Sequence, residues 1–186
     1  MTIWFTSDLH LGHVGIIEHA NRPFVDVAEM DETIIANILA VVKPGDMVYC
    51  LGDFSFYRLP KTREILQRLR DARAGQWVMV LGNHDSWADK GNLDLPSNVI
   101  KVCDYHEIRV NGTKVVLSHY PFATWNQSHR GSYMLHGHHH GSPVPGDDQQ
   151  PRRLDVGVDC WRFQPVPFDT VDKLLSSRPS TGHHSY

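Results

Sequence analysis

Metal-capable side chains recur where the short apolar segments of this chain end. The 186 residues include 13 histidines, and five such segments are followed by Asp8 with His10, by Asp53, by Asn83 with His84, by His119, and by His138 to His140. Asp and Asn are also ordinary turn formers, which accounts well for any one group but poorly for five. Because ligands of open α/β sheets bind beyond the carboxyl ends of the strands, the pattern predicts one shared site.

These side chains are the types that bind divalent cations. Imidazole suits zinc, iron, copper and nickel, and oxygen donors suit manganese and magnesium. The set contains more donors than one ion uses, so a two-metal site follows if one carboxylate bridges ions roughly 3.5–4 Å apart. We expect two divalent metal ions, with manganese first and iron, zinc and nickel as open alternatives.

Apolar periodicity predicts alternating strands and helices in the first half of the chain. Strands are expected at residues 1–7, 47–51 and 77–81, and helices at 31–42 and 60–74. Asp31 is the expected N-cap of the first helix. Strands separated by helices favour a parallel sheet with right-handed crossovers.

The second half predicts a different arrangement. Segments 105–110 and 114–118 form a hairpin through Asn111-Gly112, a pair that suits a type I′ turn. Short strands are expected at 133–135 and 154–158, and a final helix at 169–177. The length favours a single domain over residues 1–179, with a loose C-terminal tail at 180–186.

Composition excludes several classes of protein. With 41% hydrophobic and 21% charged residues, the chain is not expected to be disordered. The longest apolar stretch, 34–42, is far shorter than the roughly 20 residues of a membrane span, and no signal peptide is visible. Three widely spaced cysteines favour a reducing cytoplasm. The net charge of −3 argues against a stable nucleic-acid complex.

The ordered motifs resemble those of the calcineurin-like metallophosphoesterases. The blocks are Asp8-Leu9-His10, Gly52-Asp53, Gly82-Asn83-His84-Asp85, His119 and Gly137-His138-His139-His140. Three further segments, at 7–13, 21–24 and 155–159, are similar to those of small single-domain bacterial and phage phosphoesterases of this family. The resemblance implies a four-layer αββα sandwich, in which two mixed β-sheets are flanked by helices.

The resemblance also implies roles for these residues. Asp8, His10 and His140 would hold the first metal, Asp53 would bridge both, and the second would be held by Asn83, His119 and His138. His84 would stand near the leaving group as a general acid, and Asp85 would orient His84 through a hydrogen bond. Many relatives carry an aspartate where this chain has Phe56.

Other side chains are candidates for substrate contacts. His13 follows the first motif, and Arg22 is of a type that binds phosphate in a bidentate manner. Trp87, Tyr120, Phe122 and Trp125 lie in loops after the site strands. These aromatic rings either stack on a nucleobase or cover the edge of the core.

The implied activity is hydrolysis of phosphodiesters by a metal-bridging hydroxide, with some phosphomonoesterase activity. The preferred substrate is a small or cyclic nucleotide, because the chain has no large insertion. A nuclease for longer nucleic acid and a non-catalytic binding scaffold are the alternatives. The oligomeric state stays open.

Overall fold

Two mixed β-sheets pack face to face, and helices flank them. The computed structural model describes residues 1–88, 93–146 and 149–180. In this part of the chain the elements are β1 (Ile3–Thr6), α1 (Val14–His19), α2 (Val27–Val41), β2 (Met47–Leu51), α3 (Leu59–Asp71), β3 (Gln76–Val80), β4 (Val99–Cys103), β5 (Tyr105–Val110), β6 (Thr113–Ser118), β7 (Tyr133–His136), β8 (Arg153–Asp155), β9 (Val166–Pro167) and α4 (Phe168–Leu175). The predicted α/β fold of two mixed sheets with flanking helices is confirmed.

The first sheet places three ligand-bearing loops at one edge. Its strand order is β4-β3-β2-β1-β9, with β1 to β4 parallel and β9 antiparallel to β1. Parallel neighbours need crossover connections, and these contain α1 and α2 between β1 and β2, and α3 between β2 and β3. The carboxyl ends of β1, β2 and β3 therefore lie side by side.

The second sheet brings two further loops to its own edge. Its order is β5-β6-β7-β8, with β5 antiparallel to β6 and the other pairs parallel. The predicted hairpin is present, and both turn residues have positive φ, 49° at Asn111 and 85° at Gly112, as a type I′ turn requires. The carboxyl ends of β6 and β7 point the same way.

The apolar core has one main part on each face of the first sheet. On the outer face, α2 and α3 bury Ile34, Ile38, Leu66 and Leu69. Between the sheets lie side chains of both sheets and of α4: Phe5, Leu51, Val80, Leu117, Leu135, Phe168, Val171 and Leu175. Because the strands bury side chains on both faces, they read as continuous apolar runs.

The predicted start of α2 was wrong. The helix begins at Val27, and the carboxylate of its N-cap, Asp26, accepts a hydrogen bond from Glu29 N at 2.8 Å. Glu29 in turn accepts one from Val25 N. The missed signal was therefore Asp26, five residues before the predicted cap, with Glu29 three residues after it. Asp31 lies inside the helix and is buried.

Three elements were not predicted: α1, β4 and β9. β4 is an edge strand beside β3 that contains Lys101 and a half-exposed Ile100, so it lacks a clear apolar pattern. α1 and β9 are only six and two residues long.

Two further expectations concern the whole chain. In the ranges described, no helix is long and apolar enough to cross a membrane. The predicted tail, apart from Ser180, lies outside the described residues.

Candidate metal centre

The polar groups that follow β1, β2, β3, β6 and β7 meet where these strands end. Five of the residues have left-handed backbone, with φ between 49° and 72°: Asp8, His10, Asp53, His138 and His140. This conformation costs about 1–2 kcal/mol for a residue with a side chain. It persists where the surrounding structure over-determines it, which is common at functional sites. The loops thus turn sharply and direct their side chains into one space.

Two glycines allow the loops to approach one another. A Cβ on Gly137 would collide with Ser7 Oγ and with the carboxylate of Asp8. A Cβ on Gly82 would collide with Asp53, on its Oδ1 and on its backbone nitrogen. The glycine of each motif is therefore required by the close approach of two chain segments.

Asp8, His10 and His140 form one donor group. One ligand atom from each lies within 4.8 Å of the others. Asp8 Oδ1 is 4.0 Å from His10 Nε2 and 3.9 Å from His140 Nε2. These are the three side chains that the resemblance assigns to the first metal.

A second donor group consists of Asp8, Asp53 and His119, again with ligand atoms within 4.8 Å. Asp53 Oδ2 is 3.4 Å from His10 Nε2 and 3.5 Å from His119 Nε2. The Asp53 carboxylate thus lies between one histidine of each group, which is the position that a bridging ligand needs.

The hydrogen bonds of His119 orient its ring toward this second group. Its Nδ1–H donates to the Leu51 carbonyl at 2.9 Å, which leaves Nε2 unprotonated. Nε2 faces Asn83 Oδ1 at 3.0 Å and Asp53 Oδ2 at 3.5 Å. Three atoms that carry lone pairs therefore converge, and a cation between them would relieve the mutual repulsion.

The donor set fits a cation on two further grounds. His10 Nε2 is buried and has no hydrogen-bond partner, although a buried polar atom normally has one. Burial also lowers the pKa of His10, so its ring is neutral and suited to ligation. Burial raises the pKa of the Asp8 carboxyl to about 8, which shows how strongly this site disfavours an uncompensated negative charge.

His138 lies beside the second group. Its backbone N–H donates to both oxygens of Asp8 at 3.0 Å. Its ring packs at 5.1 Å from His119 and 4.8 Å from Tyr120, measured between ring centroids. His139 packs instead against His136 and His138.

Asp159 contacts the first donor group, although the sequence analysis gave it no role. Its Oδ2 accepts a 2.7 Å hydrogen bond from His140 Nδ1–H, which leaves Nε2 of His140 facing Asp8. Burial opposes a charge on His140, but the Asp159 hydrogen bond and the Asp8 carboxylate raise its pKa overall. The signal was present, since Asp159 ends the segment 155–159 that carries part of the resemblance.

The substrate role predicted for Arg22 was wrong. Its side chain is fully buried and forms a bidentate ion pair with Asp159, at 2.8 and 2.9 Å. It also donates to the backbone carbonyls of Asp8 and Leu9. Arg22 therefore fixes the first ligand loop and Asp159 from behind the site, where substrate has no access.

The expected hydrogen bond from Asp85 to His84 is replaced by a different set. The buried Asp85 carboxylate accepts hydrogen bonds from the backbone N–H groups of Asp53, Phe54 and Gly82, and from the Trp87 indole. Because these donors come from the loops after β2 and β3, Asp85 positions Asp53 rather than the His84 ring.

His84 lies at the edge of the donor groups. Its backbone N–H donates to Asp53 Oδ1 at 2.8 Å, and its ring centroid is 5.4 Å from the ring centroid of His10. A 3.1 Å hydrogen bond joins Nδ1 of His13 to Nδ1 of His10. The His13 ring also stacks on Phe56, with 4.1 Å between the ring centroids. His84, His13 and Phe56 thus form one rim of the site.

Tyr120 forms a second rim, beside His119 and His138. It is 46% exposed, its ring packs on His119 and His138, and its hydroxyl donates to Asn83 Oδ1 at 3.3 Å. Trp87 is buried in the helix-side core. Trp125 is buried on the outer face of the second sheet, with Phe122 against it. Of the four aromatic candidates, only Tyr120 faces the site.

Comparison with known proteins agrees with this geometry. The profile described as calcineurin-like phosphoesterase matches residues 1–185. The chain is 33% identical to the uncharacterized protein MJ1445 of Methanocaldococcus jannaschii, over 93% of this chain and 90% of that protein. It is 31% identical to the Gene 66 protein of Mycobacterium phage D29, with 94% and 96% covered.

A solved structure shares the architecture. The protein of unknown function AQ665 from Aquifex aeolicus superposes with a TM-score of 0.73 at 26% identity, over 93% of this chain and 98% of that one. The ordered motifs, the paired donor groups and the match over nearly the whole sequence lead to one conclusion. The chain belongs to the calcineurin-like phosphoesterase family, whose members are metal-dependent phosphoester hydrolases.

Proposed function

We propose that this protein hydrolyses phosphodiester bonds in small nucleotides, cyclic nucleotides among them, with phosphomonoesterase activity as a secondary reaction. The observation that carries the proposal is the position of the Asp53 carboxylate between His10 of the first donor group and His119 of the second, with the His84 ring beside that of His10. Two divalent cations, with manganese preferred, supply positive charge for the phosphoryl oxygens and a nucleophile from water at neutral pH.

The protein side chains divide the remaining work. Asp8, His10 and His140 would hold the first cation, Asp53 would be shared, and the second would be held by Asn83, His119 and His138. In this proposal His84 donates a proton from its ring to the departing oxygen, and its backbone hydrogen bond to Asp53 keeps it beside the donor groups. General acid catalysis of this kind contributes roughly 10²–10⁴-fold.

The two rims support a nucleotide as the substrate. Phe56 and Tyr120 are 47% and 46% exposed, although large aromatic side chains are mostly buried. Phe56 lies against His13 and His84, and Tyr120 lies against His119 and His138. A base that stacks on such a ring gains roughly 1–3 kcal/mol.

The alternatives meet specific objections. A nuclease for longer strands needs a basic track, and this chain carries a net charge of −3. A non-catalytic scaffold does not need His84, which this chain retains without a ligand role. A cytoplasmic setting accords with the proposal, because Cys50, Cys103 and Cys160 are free thiols.

A substrate panel tests the proposal. The manganese-loaded protein is assayed with bis-p-nitrophenyl phosphate, cyclic nucleotides, dinucleotides, phosphomonoesters and a single-stranded oligonucleotide. We expect the highest kcat/KM on a cyclic nucleotide or dinucleotide, loss of activity on chelation, and recovery with manganese. The Asp53→Asn variant is the matched control, since it removes one charge from the bridge at nearly constant size.

Two outcomes contradict the proposal. A preference for the oligonucleotide establishes the nuclease. Inactivity on every ester, with bound metal verified by elemental analysis, establishes the scaffold.

A further inference from the structure

A basic cavity lies at the end of the second sheet that is opposite the metal centre. It has a volume of about 270 Å³. Its charged lining residues are Arg109, Lys114, Arg130 and Arg152, and its neutral ones include Gly112, Gly131 and Ser132. These residues surround the β5–β6 turn and the starts of β6, β7 and β8. His119 and His138 follow the other ends of β6 and β7, so the cavity is separate from the proposed catalytic site.

The lining is strongly cationic in a chain of net charge −3. Its described residues include three arginines and one lysine but no carboxylate, although several other arginines in the same ranges pair with carboxylates. Arg22 pairs with Asp159, Arg68 with Glu32 and Arg70 with Asp71. Among the described residues that line the cavity, only Lys114 has such a partner, Glu107, at 2.6 Å.

Arg152 is held rigidly without losing its charge. It donates to the backbone carbonyls of Gly131 at 2.8 Å, Arg178 at 2.9 Å and Ser176 at 3.3 Å. Its guanidinium also lies 5.8 Å from the centre of the Tyr133 ring. Carbonyl oxygens satisfy its donors but carry no formal charge, so one full positive charge stays fixed at the cavity wall.

Arg109 and Arg130 add two adaptable charges. Arg109 donates only to the Gly112 carbonyl, at 3.2 Å, and Arg130 has no side-chain hydrogen bond or ion pair within residues 1–88, 93–146 and 149–180. Both are exposed at the cavity mouth. Three guanidinium groups without a carboxylate partner among the described residues thus line one cavity, and an anion between them would be attracted by all three.

We propose that this cavity binds a phosphate group, either inorganic phosphate or the terminal phosphate of a small ligand. Guanidinium groups match phosphate oxygens with two parallel hydrogen bonds. The volume equals that of roughly nine water molecules in the liquid, which is ample for one phosphate group. The proposal is independent of the reaction at the metal centre.

Residue-resolved amide NMR tests the proposal on the full chain loaded with a diamagnetic divalent cation. Phosphate, pyrophosphate, a mononucleotide, a single-stranded oligonucleotide and chloride are titrated separately at constant ionic strength. We expect saturable chemical-shift changes at the amides of Gly112, Gly131 and Ser132. Because these residues line the cavity and lie away from the metal centre, their shifts report binding at the cavity alone. Equal responses to inorganic phosphate and to the mononucleotide indicate recognition of the phosphate group itself.

Variants separate specific binding from general attraction. The double variant Arg109→Ala/Arg130→Ala should raise the Kd for phosphate at the cavity by about tenfold or more. Its phosphoesterase activity should be unchanged. Arg70→Ala removes an exposed arginine elsewhere and should leave the Kd unchanged. The proposal is overturned if chloride alone produces the same shifts, if only a single-stranded oligonucleotide binds, or if Arg70→Ala weakens binding as much as the double variant.

Discussion

His140 donates its Nδ1–H to Asp159 at 2.7 Å, and this single bond fixes which nitrogen of the ring faces the donor group. Asp159 in turn is clamped by Arg22, which also binds the carbonyl of Asp8. The Arg22–Asp159 ion pair therefore orients Asp8 and His140, two proposed ligands of the first metal that lie far apart in the chain.

The Asp159→Asn variant should lose metal affinity, and also part of its stability, because Arg22 keeps a buried charge without a carboxylate partner. The amide can still accept a hydrogen bond, but it removes the charge that makes His140 a stronger ligand. Loss of such a partner typically lowers metal affinity 10–100-fold, so we expect about that effect in a competition titration with a chelator. Asp169→Asn, an exposed change at the start of α4, is the control. Equal affinity in the two variants would contradict the role of Asp159.

The His84→Ala variant should separate catalysis from metal binding. We expect kcat to fall roughly 10²–10⁴-fold, because the leaving oxygen loses its proton donor. Metal content, measured by elemental analysis, should stay at the wild-type level. The exposed His19→Ala serves as the control. A parallel loss of metal and of rate would show that His84 is a ligand instead.

Much of the architecture was accessible from the sequence because buried strands leave continuous apolar runs. The strand at residues 47–51 and the Asn111-Gly112 hairpin were predicted correctly. Edge strand β4 was not, since Ile100 and Lys101 face solvent. The start of α2 was misplaced because Asp31 resembles an N-cap, whereas it binds Gly12 N and the Tyr57 hydroxyl.

For the metal centre, the sequence predicted which residues meet but not how their side chains are oriented. Residue type and position after a strand suffice to select Asp8, His10, Asp53, His119 and His140 as donors that converge. They do not reveal orientation: Arg22 faces the core instead of the substrate, and Asp85 binds the backbone of the Asp53 loop instead of His84. Such contacts depend on long-range packing, for which local patterns carry no signal.

The Gly137→Ala variant should perturb the first ligand loop. The added methyl group would meet Ser7 Cβ at 2.7 Å, and closer still the side-chain oxygens of Ser7 and Asp8. Because all three atoms belong to buried residues, we expect a loss of about 1–3 kcal/mol in the free energy of unfolding, measured with urea. Gly15→Ala is the control, since its nearest neighbour would be His13 Nε2 at an ordinary 3.4 Å. Unchanged stability of Gly137→Ala would contradict so close an approach of the two loops.

Glu107 should make stability depend on acidic pH. Hydrogen bonds from Lys114, Tyr105 and Asn126 lower its pKa from 4.5 to about 2. Since the folded pKa is the lower one, the stabilisation is complete above pH 4.5 and is lost as the pH falls toward 2. Relative to Glu107→Gln, the wild type should gain about 1 kcal/mol at pH 7, because solvent screens part of the interaction. Urea unfolding at several pH values checks this, and a difference that does not shrink with acid would refute it.

Tyr120 should contribute affinity for nucleotides through its ring. It packs on His119 and His138 with nearly half of its surface exposed. Loss of one stacking interaction of 1–3 kcal/mol corresponds to about a 5- to 150-fold rise in KM, which we expect for Tyr120→Ala on a cyclic nucleotide. Tyr120→Phe keeps the ring and should retain the low KM, and an aliphatic phosphodiester should be hydrolysed alike by all three proteins. If Tyr120→Ala raises the KM for both substrates equally, the residue acts on the metal site through Asn83 and not on the base.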